Sequence, residues 1–366
     1  MKKGLLLFVL MVVLALFGCA NVEVNLKTKD LSSDSRKEDV AKSDTVMITD
    51  DCGRSVNVPE DIESVVPSGP LAQMVLYSLA PEKMVALASK WQDNAKEFIP
   101  QEYYDLPVLG TLYGSADLNV EELASTNPQL ILDIGEGKKS IAEDMDDLQN
   151  QTRIPSVHVE ATLRTMPDAY RKLGQLLGKE DKAEELAAFC EKILSQTDSL
   201  MEAVGENKVT SLYILGEEGL NVLANGSFHA EIIDLLTDNV AVVDNPAGKG
   251  TGNEATIEQV ALWNPEYIIF APESIYGDVK TLDTWKELDA VSENKYIEVP
   301  GKPYNWMGNP PSVQRYLGMI WLASELYPEY CEYDAKSEII EYYMLFYDYE
   351  LSDEQYEELM INSRLK

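Results

Sequence analysis

The chain reads as an α/β protein of two similar lobes with mostly parallel sheets, joined by one long helix. Three observations predict this. A fifteen-residue unit occurs twice, at 119–133 and 256–270, sharing Glu121/Glu258, Ala124/Ala261, Asn127/Asn264, Pro128/Pro265 and Ile131/Ile268. Short apolar runs alternate with helical stretches on either side of each copy, the pattern of a largely parallel sheet. Between the copies, from Met166 to about Val204, apolar residues recur every three or four positions. Each copy opens with a predicted capping box, Asn119 with Glu122 and Thr256 with Gln259. Asn-Pro then stops a short helix, because a residue before proline avoids helical angles. Each copy ends in a run suited to a buried strand, Leu130–Ile134 and Tyr267–Ala271.

In chain order, Lys2 and Lys3 precede the apolar stretch Leu5–Phe17, which has the length of a signal peptide rather than a membrane span. Its ending, Leu16-Phe17-Gly18-Cys19, resembles the bacterial lipobox, which implies that Cys19 is lipidated and begins the mature chain. Residues 20–44 are polar and mixed in charge, a flexible tether. A hairpin follows at 45–59, then a strand at Glu63–Pro67, a loop Ser68–Pro70 opening a helix at Leu71–Leu79, and strands at Met84–Ala88 and Pro107–Leu109. The first repeat copy and a strand at Ser156–Val159 complete an N-terminal lobe, 45–165. The helical run, 166–205, has weak points at Gly174 and Gly178. The C-terminal lobe, 206–330, carries strands at Val209–Leu215, Val240–Val243 and Tyr296–Val299, with helices at Phe228–Leu236 and Ser312–Leu326. Residues 331–366 are acidic and Tyr-rich with helical spacing, a terminal helical segment.

The formal charge of −33 argues against nucleic acid and against adhesion to anionic lipid by charge alone. Cys52, Cys190 and Cys331 show no CxxC spacing, so no zinc or disulfide framework is read. His158 and His229 are the two histidines of the chain, which argues against a histidine-rich metal cage. No G-x-S-x-G, H-E-x-x-H or P-loop is present, and two histidines leave little for acid–base work, so no enzyme is expected.

Several motifs fall in one order: Ile48-Thr49-Asp50-Asp51-Cys52-Gly53-Arg54, the two Glu-x6-Pro-strand units, Gly226 with Glu231-Ile232-Ile233-Asp234 and Asn239-Val240-Ala241, and Trp306 with Pro310-Pro311-Ser312. Together they resemble the metal-chelate class of ABC-transporter substrate-binding proteins, over about residues 46–330. The resemblance implies a ligand cleft between the lobes, a rigid connecting helix and little lobe closure. It implies an extracytoplasmic, lipid-anchored monomer that delivers its ligand to a permease and its ATPase. Glu121 and Glu258 match the positions that pair with permease arginines. Singly, each also reads as an acid at a helix start, stabilised by the helix dipole.

Ligands of open α/β sheets gather beyond the carboxyl ends of the strands. Applied to both lobes, that rule selects Ser68, Trp91, Tyr113, Phe228, His229, Tyr304 and Trp306 as candidate ligand-binding residues. The aromatic members suit a bulky or flat chelate. His229 is a candidate ligand for an open coordination site, or a helix-end hydrogen-bonding residue. Arg315, with Lys90 and Lys249, is placed to meet an anionic chelate. The cargo expected is a metal chelate, foremost a ferric siderophore, with no resident cofactor or metal. Haem, cobalamin and molybdate or tungstate are the alternatives on the same fold, and a secreted ligand sensor is the alternative role. An oxyanion requires a small cleft with Ser and backbone N–H donors, so cleft size discriminates.

Overall fold

The structure, a computed structural model, describes residues 44–112, 119–308 and 310–365. Cys19 and Tyr113 lie outside the described residues. The N-terminal lobe begins with an antiparallel hairpin, β1 (Thr45–Thr49) and β2 (Ser55–Pro59). Its turn is held by Asp50, whose carboxylate accepts from the backbone N–H of Arg54 and from the Arg54 guanidinium. Next come β3 (Val65–Pro67), α1 (Pro70–Leu79), α2 (Gln101–Tyr104), α3 (Val120–Ser125), β4 (Leu130–Gly135), α4 (Ile141–Thr152) and β5 (Ser156–Glu160). The three strands form a parallel sheet in the order β3-β4-β5. The strands expected at Met84–Ala88 and Pro107–Leu109 are reduced to isolated parallel bridges, Val65 with Met84 and Leu87 with Val108.

The long helical run divides at Gly178 into α5 (Met166–Leu177) and α6 (Glu180–Val204), which pack against each other. Gly178 takes a left-handed φ of +64°, which glycine adopts without steric cost. A Cβ on Gly174 would stand 2.4 Å from that of Ala183, so the close approach of the two helices requires glycine there. The connector between the lobes is therefore α6 alone, 25 residues long.

The C-terminal lobe contains β6 (Thr210–Leu215), β7 (Asn221–Val222), α7 (Glu231–Leu236), β8 (Asp238–Asn239), β9 (Asn253–Glu254), α8 (Ile257–Trp263), β10 (Tyr267–Phe270), α9 (Asp283–Lys286), α10 (Asp289–Ser292) and β11 (Tyr296–Glu298). Its sheet runs β11-β10-β6-β7-β9, with β8 parallel to β6. The strand expected at Val240–Val243 is displaced to β8, and Val242 is 71% exposed. Both Asn-Pro stops hold: Asn127 and Asn264 sit at φ +48° and +41°, left-handed angles that asparagine tolerates. The Thr256–Gln259 capping box is complete. The first copy is half a box, since Asn119 caps the Glu122 N–H while the Glu122 carboxylate accepts from the Asn119 side chain.

The chain closes with α11 (Arg315–Leu326), α12 (Ala335–Tyr347) and α13 (Asp353–Leu359). The acidic tail is a structural part of the body. α12 packs on α1 of the N-terminal lobe, on α6 and on α11. Tyr342, Tyr343, Phe346 and Tyr347 enter the same apolar cluster as Leu76 and Leu317.

Candidate functional site

A cavity of about 200 Å³ lies at the carboxyl end of the N-terminal sheet and faces loops of the C-terminal lobe. The N-terminal lobe supplies Ser68, the start of α1, and Asp133, Glu136 and Lys138 at the end of β4. Facing residues supply Phe228, His229, Gly248 and Pro311. Ser68 follows β3 directly. Its N–H donates to the Leu132 carbonyl and its own carbonyl accepts from Leu112, so backbone ladders on two sides fix the side chain. Ser227 opens a turn at Phe228–Ala230 by capping the Ala230 N–H, which sets Phe228 and His229 toward the cleft.

His229 is half-buried, near the backbone of Gly308. Nδ1 is buried without a partner. Burial, with a smaller contribution from the nearby Arg315 charge, pushes the imidazole below its usual 6.5. A neutral ring with an unpaired nitrogen is the form in which histidine ligates a metal.

Arg315 is placed differently from the expectation. It is 1% exposed, bonded through Nη1 to Glu231, with its guanidinium carbon 5.0 Å from the Phe228 ring centroid. It supports the cavity wall from behind and does not line it. Burial lowers its pKa against the opposing pull of Glu231.

The aromatic cleft wall is corrected at three positions. Trp91, Tyr304 and Trp306 are 1%, 5% and 0% exposed and belong to the core. Trp91 donates its indole N–H to the Tyr103 carbonyl and meets Tyr77 edge-on at 5.2 Å, with Tyr304 at 6.1 Å. Trp306 donates to the Lys302 carbonyl and packs on Trp321. A buried indole whose N–H finds a backbone carbonyl is satisfied inside, so nothing draws it to the cleft. Lys90 and Lys249 are exposed and absent from the cavity wall. Asp133 was missed in sequence, although a carboxylate within the apolar run Leu130–Ile134 was a visible anomaly. A larger cavity of about 760 Å³ lies elsewhere, between Tyr77–Tyr103 and the tail at Leu345–Tyr349.

Glu121 and Glu258 are exposed in the first turns of α3 and α8, and neither forms an ion pair among the described residues. The Glu258 carboxyl is held below the usual carboxylate range by backbone and Thr256 hydrogen bonds.

The family model described as periplasmic binding protein matches residues 77–303, more than half of the chain. Among solved structures, an ABC-transporter solute-binding protein from Sulfurospirillum deleyianum is 26% identical, with a TM-score of 0.79, covering 86% of this chain and 99% of its own. The molybdate periplasmic binding protein MolA of Haemophilus influenzae, bound to molybdate, is 19% identical with a TM-score of 0.66, covering 84% and 99%. CeuE of Helicobacter pylori, in a nickel–histidine complex, is 16% identical with a TM-score of 0.63, covering 86% and 99%. No curated protein matches the chain in sequence. The chain belongs to the periplasmic binding protein family, the extracytoplasmic solute-binding components of ABC transporters, which bind and deliver and are not enzymes.

Proposed function

We propose that the chain captures a compact metal chelate in the cleft and delivers it to an ABC importer, anchored to the membrane as a monomer by lipid on Cys19. The observation that carries this reading is His229 at the cavity wall, with its Nδ1 buried and without a partner. A lone pair there completes the coordination of a metal whose other positions the chelator fills. The described residues enclose about 200 Å³, below the roughly 300–1,000 Å³ of pockets for drug-sized ligands. That volume favours a small siderophore or an amino-acid chelate over haem or cobalamin. Glu121 and Glu258, exposed at matching places on the two lobes, would meet permease arginines.

Calorimetric titration of the full chain in detergent with ferric hydroxamate, ferric catecholate, nickel–histidine, haem, cobalamin and molybdate tests the proposal. Saturable binding of a compact chelate, weakened roughly tenfold by His229→Gln, is expected. Binding that is indifferent to the substitution, or confined to haem or cobalamin, would refute it. By volume alone the cavity also admits an oxyanion such as molybdate, to which the Haemophilus protein is bound.

A further inference from the structure

Ser68, Asp133 and His158 form one row across the N-terminal sheet. Asp133 and His158 are register partners on β4 and β5. Pro67 opposite Leu132 puts Ser68 beside Asp133. Ser68 donates its hydroxyl to Asp133 Oδ1, and Asp133 Oδ2 lies 2.7 Å from His158 Nδ1. The three residues are 1%, 2% and 1% exposed. His158 Nε2 has no partner. With the ring hydrogen on Nδ1, the unpaired atom is an acceptor, which is less costly to bury than an unpaired N–H. In that tautomer His158 donates to Asp133, and the carboxylate accepts from both sides.

The consequence falls on the cleft. Ser68 and Asp133 both belong to the cavity wall. Because the Ser68 hydrogen is committed to Asp133, the oxygen offers the cavity lone pairs only. The carboxylate behind it adds negative potential in surroundings that screen poorly. Lys138, the cation at the wall, is exposed and therefore screened by solvent, and Glu136 offsets it, which leaves the N-terminus of α1 as the positive end that the carboxylate opposes.

We infer that Ser68 is a specificity-determining residue, an acceptor that selects solutes presenting N–H or O–H donors, and that Asp133 and His158 are the positioning residues that keep it one. The inference rests on the cleft being the solute site proposed above, and it narrows the cargo. A metal held by amine or imidazole ligands presents such donors. An oxyanion, which only accepts, does not.

The test is calorimetric titration of the full chain in detergent with the nickel–histidine chelate and with molybdate, at one pH and ionic strength. The unsubstituted chain should prefer the chelate by roughly tenfold or more. Asp133→Asn, with its amide oxygen toward His158 and its N–H toward Ser68, frees the hydroxyl hydrogen for the cleft. It should shrink that preference by about tenfold. Ser68→Ala keeps the test open if that variant does not fold; it should weaken the chelate about fivefold and leave molybdate unchanged. A purely structural role would move both dissociation constants together, and equal losses overturn the assignment. Tighter binding of molybdate than of the chelate overturns the donor preference and leaves the cleft as the solute site. No saturable binding of either probe overturns both.

Discussion

The rings of Tyr343 and Phe98 meet at a centroid distance of 5.4 Å, joining the C-terminal helix α12 to the N-terminal lobe. The Tyr343 hydroxyl donates to the carbonyl of Lys302, after the last strand of the other lobe. The tail thus touches both lobes. Lys302 also pairs with Glu358, and Gln355 donates to Glu97. The lobes are joined by α6, by the tail and directly, as where Asn94 donates to the Gly301 carbonyl and Ser312 to the Leu71 carbonyl.

Removing this clamp should cost stability. Tyr343 is fully buried, so Tyr343→Ala is expected to lose about 3–5 kcal/mol in urea unfolding. Tyr343→Phe keeps the ring and loses one hydrogen bond, for about 1 kcal/mol. Equal losses in the two variants would show that the ring contact with Phe98 contributes nothing.

The α5–α6 contact makes a second prediction. Gly174→Ala places a methyl 2.4 Å from Ala183 Cβ, and overpacking of this kind costs about 1–3 kcal/mol. Ala183→Gly in the same chain should return part of that loss. Chemical denaturation of the two single variants and the double variant reads the coupling.

Chelate binding should depend on pH through His229. Burial holds this imidazole below its usual 6.5, so at neutral pH it is unprotonated and its lone pair is available. As pH falls from 6.5, the unfolded chain takes up its proton before the folded one does. Folding stability therefore declines downward from pH 6.5, and the folded-state pKa marks the more acid end of that decline. Binding of the chelate should persist below pH 6.5 and fail on protonation. Titration calorimetry from pH 7.5 to 5 checks this, with His229→Gln expected to remove that dependence.

Docking is separable from capture. Glu121→Gln combined with Glu258→Gln should lower affinity for the permease about a hundredfold, from the loss of two charge-assisted hydrogen bonds. Solute affinity should be unchanged, because neither glutamate touches the cavity. Uptake in cells and calorimetry on the purified chain read the two effects independently.

Much of the architecture was legible because it is encoded locally. A capping residue, a helix of seven residues and an Asn-Pro stop lie within one stretch, as at Thr256–Pro265. The break at Gly178 was visible as a weak point. The direction of the aromatic side chains was not. Trp91 and Trp306 follow predicted strands, where cleft residues should stand, yet each indole N–H finds a backbone carbonyl inside. Which way a strand-end side chain turns depends on the carbonyls that the rest of the chain brings near it.

The same distinction separates the two kinds of information in this protein. Periodicity, capping and turn chemistry act over a few residues, and from them follow two α/β lobes, a helical connector and loops at the strand ends. Ser68, Asp133 and His158 stand 65 and 25 residues apart. They become a single hydrogen-bonded row only when β3, β4 and β5 settle in register. Register is a property of paired strands, set by packing across the sheet, and the side chain that faces the cavity is decided there.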